Sequence, residues 1–283
     1  MTDQAQNLRE LMKNRQKIRV LSVASGKGGV GKTCVAVNLA ITLSRFGIRV
    51  LVVDADFGLA NVDIMLGASS KYDVSYFLRG EKTLHEIIQI GHEGVRFISG
   101  GSGVYDLLNI HEQQLAELLE KIAKHDAPID FIIIDTGAGI NEKIIRMILA
   151  SSETVVVTTS EPTSILDAYA LVKTIVKQDS SHPIHVLINK CESKKEAQRI
   201  QEGFIKVVGR HMGKTINPLG LIMNSQEVPQ SIKRQVPITV TNPGGTTAKE
   251  IEQIVRAILN LPGEKTSNSI LSRVFGRLLG DRN

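Results

Sequence analysis

The stretch Ser25-Gly26-Lys27-Gly28-Gly29-Val30-Gly31-Lys32-Thr33 constrains the chain more than any other. It fits G-x-x-x-x-G-K-[ST], a pattern with physical meaning only where a buried strand runs into a turn and a helix begins beyond it. The apolar run Val20-Leu21-Ser22-Val23-Ala24 leads in, and Val35-Ala36-Val37-Asn38-Leu39-Ala40 leads out with helical character. Strand, glycine-rich turn and helix in that order open a βαβ unit, and such units build parallel sheets with helices on both faces.

The loop has a chemistry of its own. Its glycines let successive backbone N–H groups turn inward around a β-phosphate, at the positive end of the following helix. Gly26, Lys27, Gly28, Gly29, Val30, Gly31, Lys32, Thr33 and the adjoining Cys34 are therefore candidate nucleotide contacts. Lys32 adds a point charge between β- and γ-phosphates. Thr33 supplies a hydroxyl for Mg²⁺, which takes few protein ligands in such sites and completes its octahedron with phosphate oxygens and water. Lys27 is the unusual member; taken singly it reads as a solvated loop lysine. No arginine lies in the loop, so turnover is expected to be slow until a partner or a second copy completes the site.

Buried-strand patterns recur at 18–24, 49–54, 95–98, 130–135, 154–159, 184–189, 217–223 and 236–240, and helical patterns at 33–46, 111–125, 141–150, 163–178, 194–212 and 246–260. Phe131-Ile132-Ile133-Ile134 and Val155-Val156-Val157 are apolar at consecutive positions, as strands covered on both faces should be. The expected fold is α/β: a predominantly parallel sheet between two helical layers, of the P-loop NTPase type. One domain over 20–260 accommodates these elements, and the 42% hydrophobic content of the 283 residues supplies its core. A linker at 261–268, Pro262-Gly263-Glu264-Lys265-Thr266-Ser267-Asn268 within it, separates this domain from a last segment at 269–283.

Ligands of open α/β sheets bind at the carboxyl ends of the strands. Three strand ends carry candidates. In Val52-Val53-Asp54-Ala55-Asp56, Asp54 is placed to hold Mg²⁺ through water and Asp56 to orient an attacking water. In Ile134-Asp135-Thr136-Gly137-Ala138-Gly139, Asp135 is a second metal candidate, and Gly137 offers a backbone N–H to a γ-phosphate. Any one of these acids alone would be a solvated turn residue or a helix cap; beside a phosphate loop they become site residues. In Leu187-Ile188-Asn189-Lys190, Asn189 can offer its amide to adenine N6 and N7, with a capping role as the alternative. Guanine reading by Asn-Lys-x-Asp is absent, since residue 192 is Glu192. ATP is preferred over GTP.

Cys34 and Cys191 are the only cysteines and are far apart, which suggests neither a disulfide framework nor a metal cluster. Neither a secretory h-region nor an apolar run long enough for a membrane span occurs, so a cytoplasmic protein is expected. The net charge of +5 lies in the ends: residues 1–19 carry +3 and residues 264–283 carry +2. The body between is neutral overall, which favours ends that meet acidic partners or anionic lipid over a body that coats DNA. In the first segment Ala5, Leu8, Leu11 and Met12 recur at helical steps, consistent with a partner-binding helix or with a frayed end. In the last, Ile270, Leu271, Val274, Phe275, Leu278 and Leu279 form one stripe edged by Arg273 and Arg277, suited to a membrane interface or to docking on the body.

Taken together, the loop with its Lys27, the stretch Asp54-Ala55-Asp56-Phe57-Gly58-Leu59-Ala60-Asn61-Val62-Asp63 and Asp135-Thr136-Gly137-Ala138-Gly139 closely resemble the MinD/ParA family of dimerising ATPases, over roughly residues 18 to 260. The resemblance implies ATP and Mg²⁺ as cofactors, Lys27, Lys32 and Asp56 as catalytic residues, and an ATP-dependent homodimer in which Lys27 reaches across to the partner's nucleotide. It also implies that the last segment is a membrane-targeting helix, placing the ATP-bound protein at the inner face of the cell membrane. Asp3, Gln4, Ala5, Leu8 and Arg9 belong to a stretch similar to the N-terminal motif of the FlhG (YlxH or FleN) flagellar-number regulators. That motif implies an FlhF-type GTPase as partner, with flagellar basal-body (C-ring) proteins as further ones. A MinD-type division-site regulator and a ParA-type DNA segregation protein remain as alternatives. Met223-Asn224 departs from the proline and acid that many relatives carry beside the adenine.

Overall fold

The computed structural model describes residues 18–56, 61–101, 118, 121–122 and 128–260. In chain order these form β1 (Arg19–Ser25), α1 (Lys32–Arg45), β2 (Val50–Ala55), the short α2 (Val62–Met65), α3 (Val74–Leu78) and α4 (Leu84–Ile87), then β3 (Gln89–Ile90) and β4 (Arg96–Ile98). They continue with β5 (Phe131–Ala138), α5 (Glu142–Ala150), β6 (Glu153–Thr158), α6 (Pro162–Gln178), β7 (Ile184–Cys191), α7 (Lys194–Met212) and β8 (Asn217–Met223). Last come α8 (Glu227–Lys233), α9 (Ile238–Thr241) and α10 (Thr246–Ile258).

One eight-stranded sheet runs in the order β3-β4-β2-β5-β1-β6-β7-β8. β3 is antiparallel to β4 at one edge, and the other neighbours are parallel. Successive residues of a central strand feed opposite layers, which is why those strands read as unbroken apolar runs. Val155 and Val157 of β6 pack with α1 and α10, while Val156 packs with α5, α6 and α7.

The expected strand at 236–240 is instead the turn of helix α9. Pro237 precedes it, with no N–H to give a ladder and a φ fixed near the helical value. The Thr239 N–H and hydroxyl then donate to Oδ1 of Asn38 at 3.1 and 2.9 Å. Asn38 is fully buried in α1, so a polar side chain captures a β-branched run that would otherwise suit a strand. The two-residue β3 is too short for periodicity to reveal. The expected helix at 111–125 falls mostly outside the described residues; Leu118 and Ile122 from it are buried in the core beside β2 and β5.

At the amino ends of the strands a polar cluster ties the fold together. The Arg19 guanidinium pairs with both carboxylate oxygens of Glu153, and it also donates to the Ile258 carbonyl at 2.5 Å. His185 Nε2 lies 2.8 Å from Glu153 Oε2. Burial works against the charged form of Glu153, but the His185 and Arg19 hydrogen bonds outweigh it and hold its pKa down at about 2. A depressed carboxyl pKa stabilises the fold above the ordinary value of 4.5 and loses that contribution as pH falls towards about 2. Glu153→Gln is expected to cost about 1–2 kcal/mol, because Arg19 is partly solvent-screened, and to lower Tm by roughly 3–6 °C at neutral pH. Melting curves of the two proteins should converge as the pH is taken below 4. Equal Tm values at pH 7 would show that the cluster contributes nothing.

Candidate nucleotide site

β1 delivers the loop at its carboxyl end, and α1 starts at Lys32. Gly31 turns the chain with φ +93°, and a Cβ there would lie 2.5 Å from Asn189 Nδ2, so bond geometry and space both demand glycine. The loop is braced from β7: Asn189 Nδ2 donates to the Val30 carbonyl at 2.8 Å, and Lys190 Nζ to the Gly29 carbonyl at 2.8 Å. Gly26 abuts the α6 backbone at Asp167. Gly28 and Gly29 are exposed, whereas Val30 and Lys32 are buried. The Cys34 thiol, in the first turn of α1, is pushed up to about 11 by burial and is no nucleophile.

Lys27 is held within its own chain. Its Nζ donates to Glu161 Oε2 at 2.8 Å and to Thr163 Oγ1 at 2.9 Å, both at the start of α6. The hydrogen bond to Lys27 holds the Glu161 carboxyl below its usual range.

The three acids differ in what they do. Asp54 accepts the Asp56 N–H at 3.1 Å on one oxygen and the Asn61 and Val62 N–H groups at 2.9 and 3.2 Å on the other. Its carboxylate thus shapes the segment that carries Asp56, although burial still raises its pKa to about 6. Asp56 lies over Gly137, where a Cβ would come within 3.3 Å of its Oδ1. Burial raises its pKa and the Lys32 charge opposes that. Asp135 is fully buried with both carboxylate oxygens lacking a hydrogen-bond partner. Burial pushes its pKa up to about 7; the Thr33 hydroxyl and Lys32 pull it down, and the charges of Asp54 and Asp56 add to the rise.

An orphaned carboxylate beside a threonine hydroxyl and a lysine is a hard-oxygen position short of a cation. Among the described residues no three His, Cys, Asp or Glu side chains group to hold a metal. That suits Mg²⁺, which draws most of its ligands from phosphate and water. The chemistry of Thr33 and Asp135 fits it, whereas the Asp54 oxygens are already taken by three backbone N–H groups.

The strand order sets different groups on the two sides of the loop. β5 and β2, with Asp135, Asp54 and Asp56, lie on one side of β1, while β6, β7 and β8 lie on the other. Past β7 and β8, the Asn224 N–H donates to the Cys191 carbonyl at 2.8 Å and Asn224 Nδ2 to Glu192 Oε1 at 2.6 Å. Sequence reading missed the Lys27 partners Glu161 and Thr163. Glu161 carries a signal after the fact, because it precedes Pro162 at the start of a helix. The proposed Asp3, Gln4, Ala5, Leu8 and Arg9 contacts, residues 57–60 and the stripe from Ile270 to Leu279 lie outside the described residues.

A sequence model of the ParA family, described as "NUBPL iron-transfer P-loop NTPase", matches residues 16–259. The chain belongs to the ParA/MinD family of P-loop ATPases. It is 34% identical over 224 residues to the antiactivator FleN of Pseudomonas aeruginosa, covering 79% of this chain and 80% of that one. It is 31% identical to the flagellum site-determining protein YlxH of Helicobacter pylori, covering 92% and 91% respectively. Among solved structures, the septum site-determining protein MinD of Pyrococcus horikoshii, complexed with Mg-ADP, superposes with a TM-score of 0.71 at 23% identity over 86% of this chain and 96% of that one. No helix among the described residues of this ParA/MinD ATPase is long and apolar enough to cross a membrane.

Proposed function

We propose that this ATPase is a dimerising, membrane-associating switch that sets flagellar number or placement and stimulates an FlhF-type GTPase through residues 1–19. The observation that carries the reading is the similarity to FleN and YlxH across most of both chains.

The described site supplies the switch chemistry. The loop N–H groups and Lys32 bind and orient the triphosphate; Thr33 and Asp135 would hold Mg²⁺, which would supply positive charge against that developing on the phosphates. Asp56, over Gly137, orients the attacking water and accepts its proton as the bond to the γ-phosphorus forms and the bond to the leaving oxygen breaks. Lys27 leaves Glu161 and Thr163 to contact the nucleotide of a second copy, so ATP acts as the adhesive of a dimer. Two terminal helices in one dimer hold a lipid surface far better than one, through effective concentration.

The test uses the full chain with ATP, anionic liposomes and a signal-recognition-type GTPase. Deleting residues 1–19 is expected to abolish GTPase stimulation while ATP hydrolysis and liposome co-sedimentation stay within twofold of the full chain. A chain ending at residue 260 should hydrolyse ATP and fail to sediment. The septum site-determining MinD proteins are also similar, at 24% identity over 84% of this chain for that of Bacillus subtilis. Lipid binding without any GTPase stimulation by the full chain would favour that division-site reading.

A further inference from the structure

Asp54 and Asp135 are in register across the β2–β5 ladder, so the fold sets two buried carboxyl groups on neighbouring strands about 4.8 Å apart. Their surroundings are opposite. Neither Asp135 oxygen has a hydrogen-bond partner, whereas Asp54, 1% exposed, gives both of its oxygens to backbone N–H groups. A carboxylate so occupied is organising protein and is not waiting for a cation.

The three donors come from two places. Oδ1 accepts the N–H of Asp56, two residues on, and turns the chain as it leaves the strand. Oδ2 accepts the N–H groups of Asn61 and Val62, the leading donors of α2, which the Asn61 side chain does not cap. One carboxylate therefore joins Asp56 to the start of α2.

Asp54 is itself fixed from both sides. It is paired with β5, and the end of β4 closes on it so tightly that a Cβ on Gly100 would lie 2.7 Å from the Asp54 carbonyl oxygen. Asp56 lacks such support: it lies beyond the last β2–β5 pair, Ala55 with Thr136, and among the described residues its carboxylate accepts no hydrogen bond. What directs it over Gly137 is the bond from its own N–H to Asp54.

We propose that Asp54 is a positioning residue for hydrolysis: its carboxylate clamps the Asp56 backbone to the start of α2, so that Asp56 is held over Gly137, and it leaves the cation to Thr33 and Asp135. The inference rests on the proposed role of Asp56. The clamp needs a carboxylate, because both oxygens must accept. Asparagine keeps the shape but has a single acceptor oxygen, and whichever anchor that oxygen serves, its NH₂ group faces backbone donors at the other. One exchanged atom thus releases one anchor and leaves the phosphate loop and Asp135 as they are.

The experiment measures ATP hydrolysis, its Mg²⁺ dependence, methylanthraniloyl-ATP binding and thermal unfolding of the full-length protein. Asp54→Asn should lower kcat about 10²-fold, the loss that a displacement of about 1 Å in a catalytic group brings, while KM and nucleotide affinity stay within about threefold. The Mg²⁺ concentration for half-maximal rate should not move. In an Asp56→Ala background Asp54→Asn should lower hydrolysis no further, since it acts through Asp56. Asp54→Glu keeps both acceptors but sets them a methylene further out; it should also lower kcat, and it decides the matter if Asp54→Asn does not fold. A native kcat in either folded variant overturns the proposal, and with a lowered Tm it means that these bonds hold only the fold. A rate recovered by excess Mg²⁺ overturns it by putting Asp54 on the cation. Nucleotide affinity that falls as far as kcat, or a further loss in the double variant, overturns it by giving Asp54 a role apart from Asp56. A native rate in Asp56→Ala alone overturns the role of Asp56 instead, and the clamp's purpose with it.

Discussion

Asp56→Ala is expected to lower ATP hydrolysis by roughly 10²–10⁴-fold while nucleotide binding stays within about threefold. The side chain sits partly buried over Gly137, and its pKa, raised by burial, is opposed by Lys32. In the proposed mechanism it faces the reacting end of the triphosphate, and it is not part of the loop itself. The variant should accumulate as an ATP-bound dimer, which light scattering reads directly, while phosphate release is followed in parallel. Turnover at the native rate would remove Asp56 from the chemistry and leave the water to be oriented by another group.

Asp135→Asn should do two opposite things. Without nucleotide or Mg²⁺, raising the pH through 7 makes the native protein ionise a buried carboxyl whose two oxygens have no hydrogen-bond partner. Its pKa of about 7, against an ordinary 3.8, means that the folded state holds its proton more tightly than the unfolded one. Stability of the metal-free protein thus falls as pH rises from about 4 through 7. Asparagine removes that penalty but leaves a buried amide in its place, so the net gain is about 1–3 kcal/mol, or roughly 3–8 °C in Tm at pH 8. The difference should vanish near pH 4. With Mg²⁺ and ATP the order reverses: the native protein gains Tm from its ligands and the variant gains little. A lower melting temperature for metal-free Asp135→Asn would mean that the carboxylate has a partner in solution and is not held waiting for a cation.

Much of this was legible in the sequence because the decisive patterns are local. The loop between Ser25 and Thr33 fixes its own strand and helix, and runs such as Phe131-Ile132-Ile133-Ile134 announce strands covered on both sides. What escaped depends on partners remote in the chain. Val236-Pro237-Ile238-Thr239-Val240 has strand composition, yet Asn38, some two hundred residues earlier, takes the Thr239 backbone donor that a strand would need. Asp54 and Asp135 look alike as acids near strand ends. Only the folded chain separates the one that accepts three backbone N–H groups from the one that accepts none. Asn189 read as a base contact, but its amide nitrogen braces the loop at Val30, which leaves its carbonyl as the group able to meet an adenine amine. Nothing local to Lys27 announces Glu161, the partner it grips in this single chain.

The Arg19 side chain joins the first described strand to the end of the last described helix through Ile258. β1 is seven residues long, so this junction lies roughly 20 Å from the phosphate loop at the strand's other end. The chain thus enters and leaves its folded body by one doorway, at the pole opposite the nucleotide. Traffic through that doorway does not obstruct the pole where a second copy would close over ATP. Residues 17 and 261 therefore adjoin the described body near one guanidinium, a strand's length away from the phosphate loop.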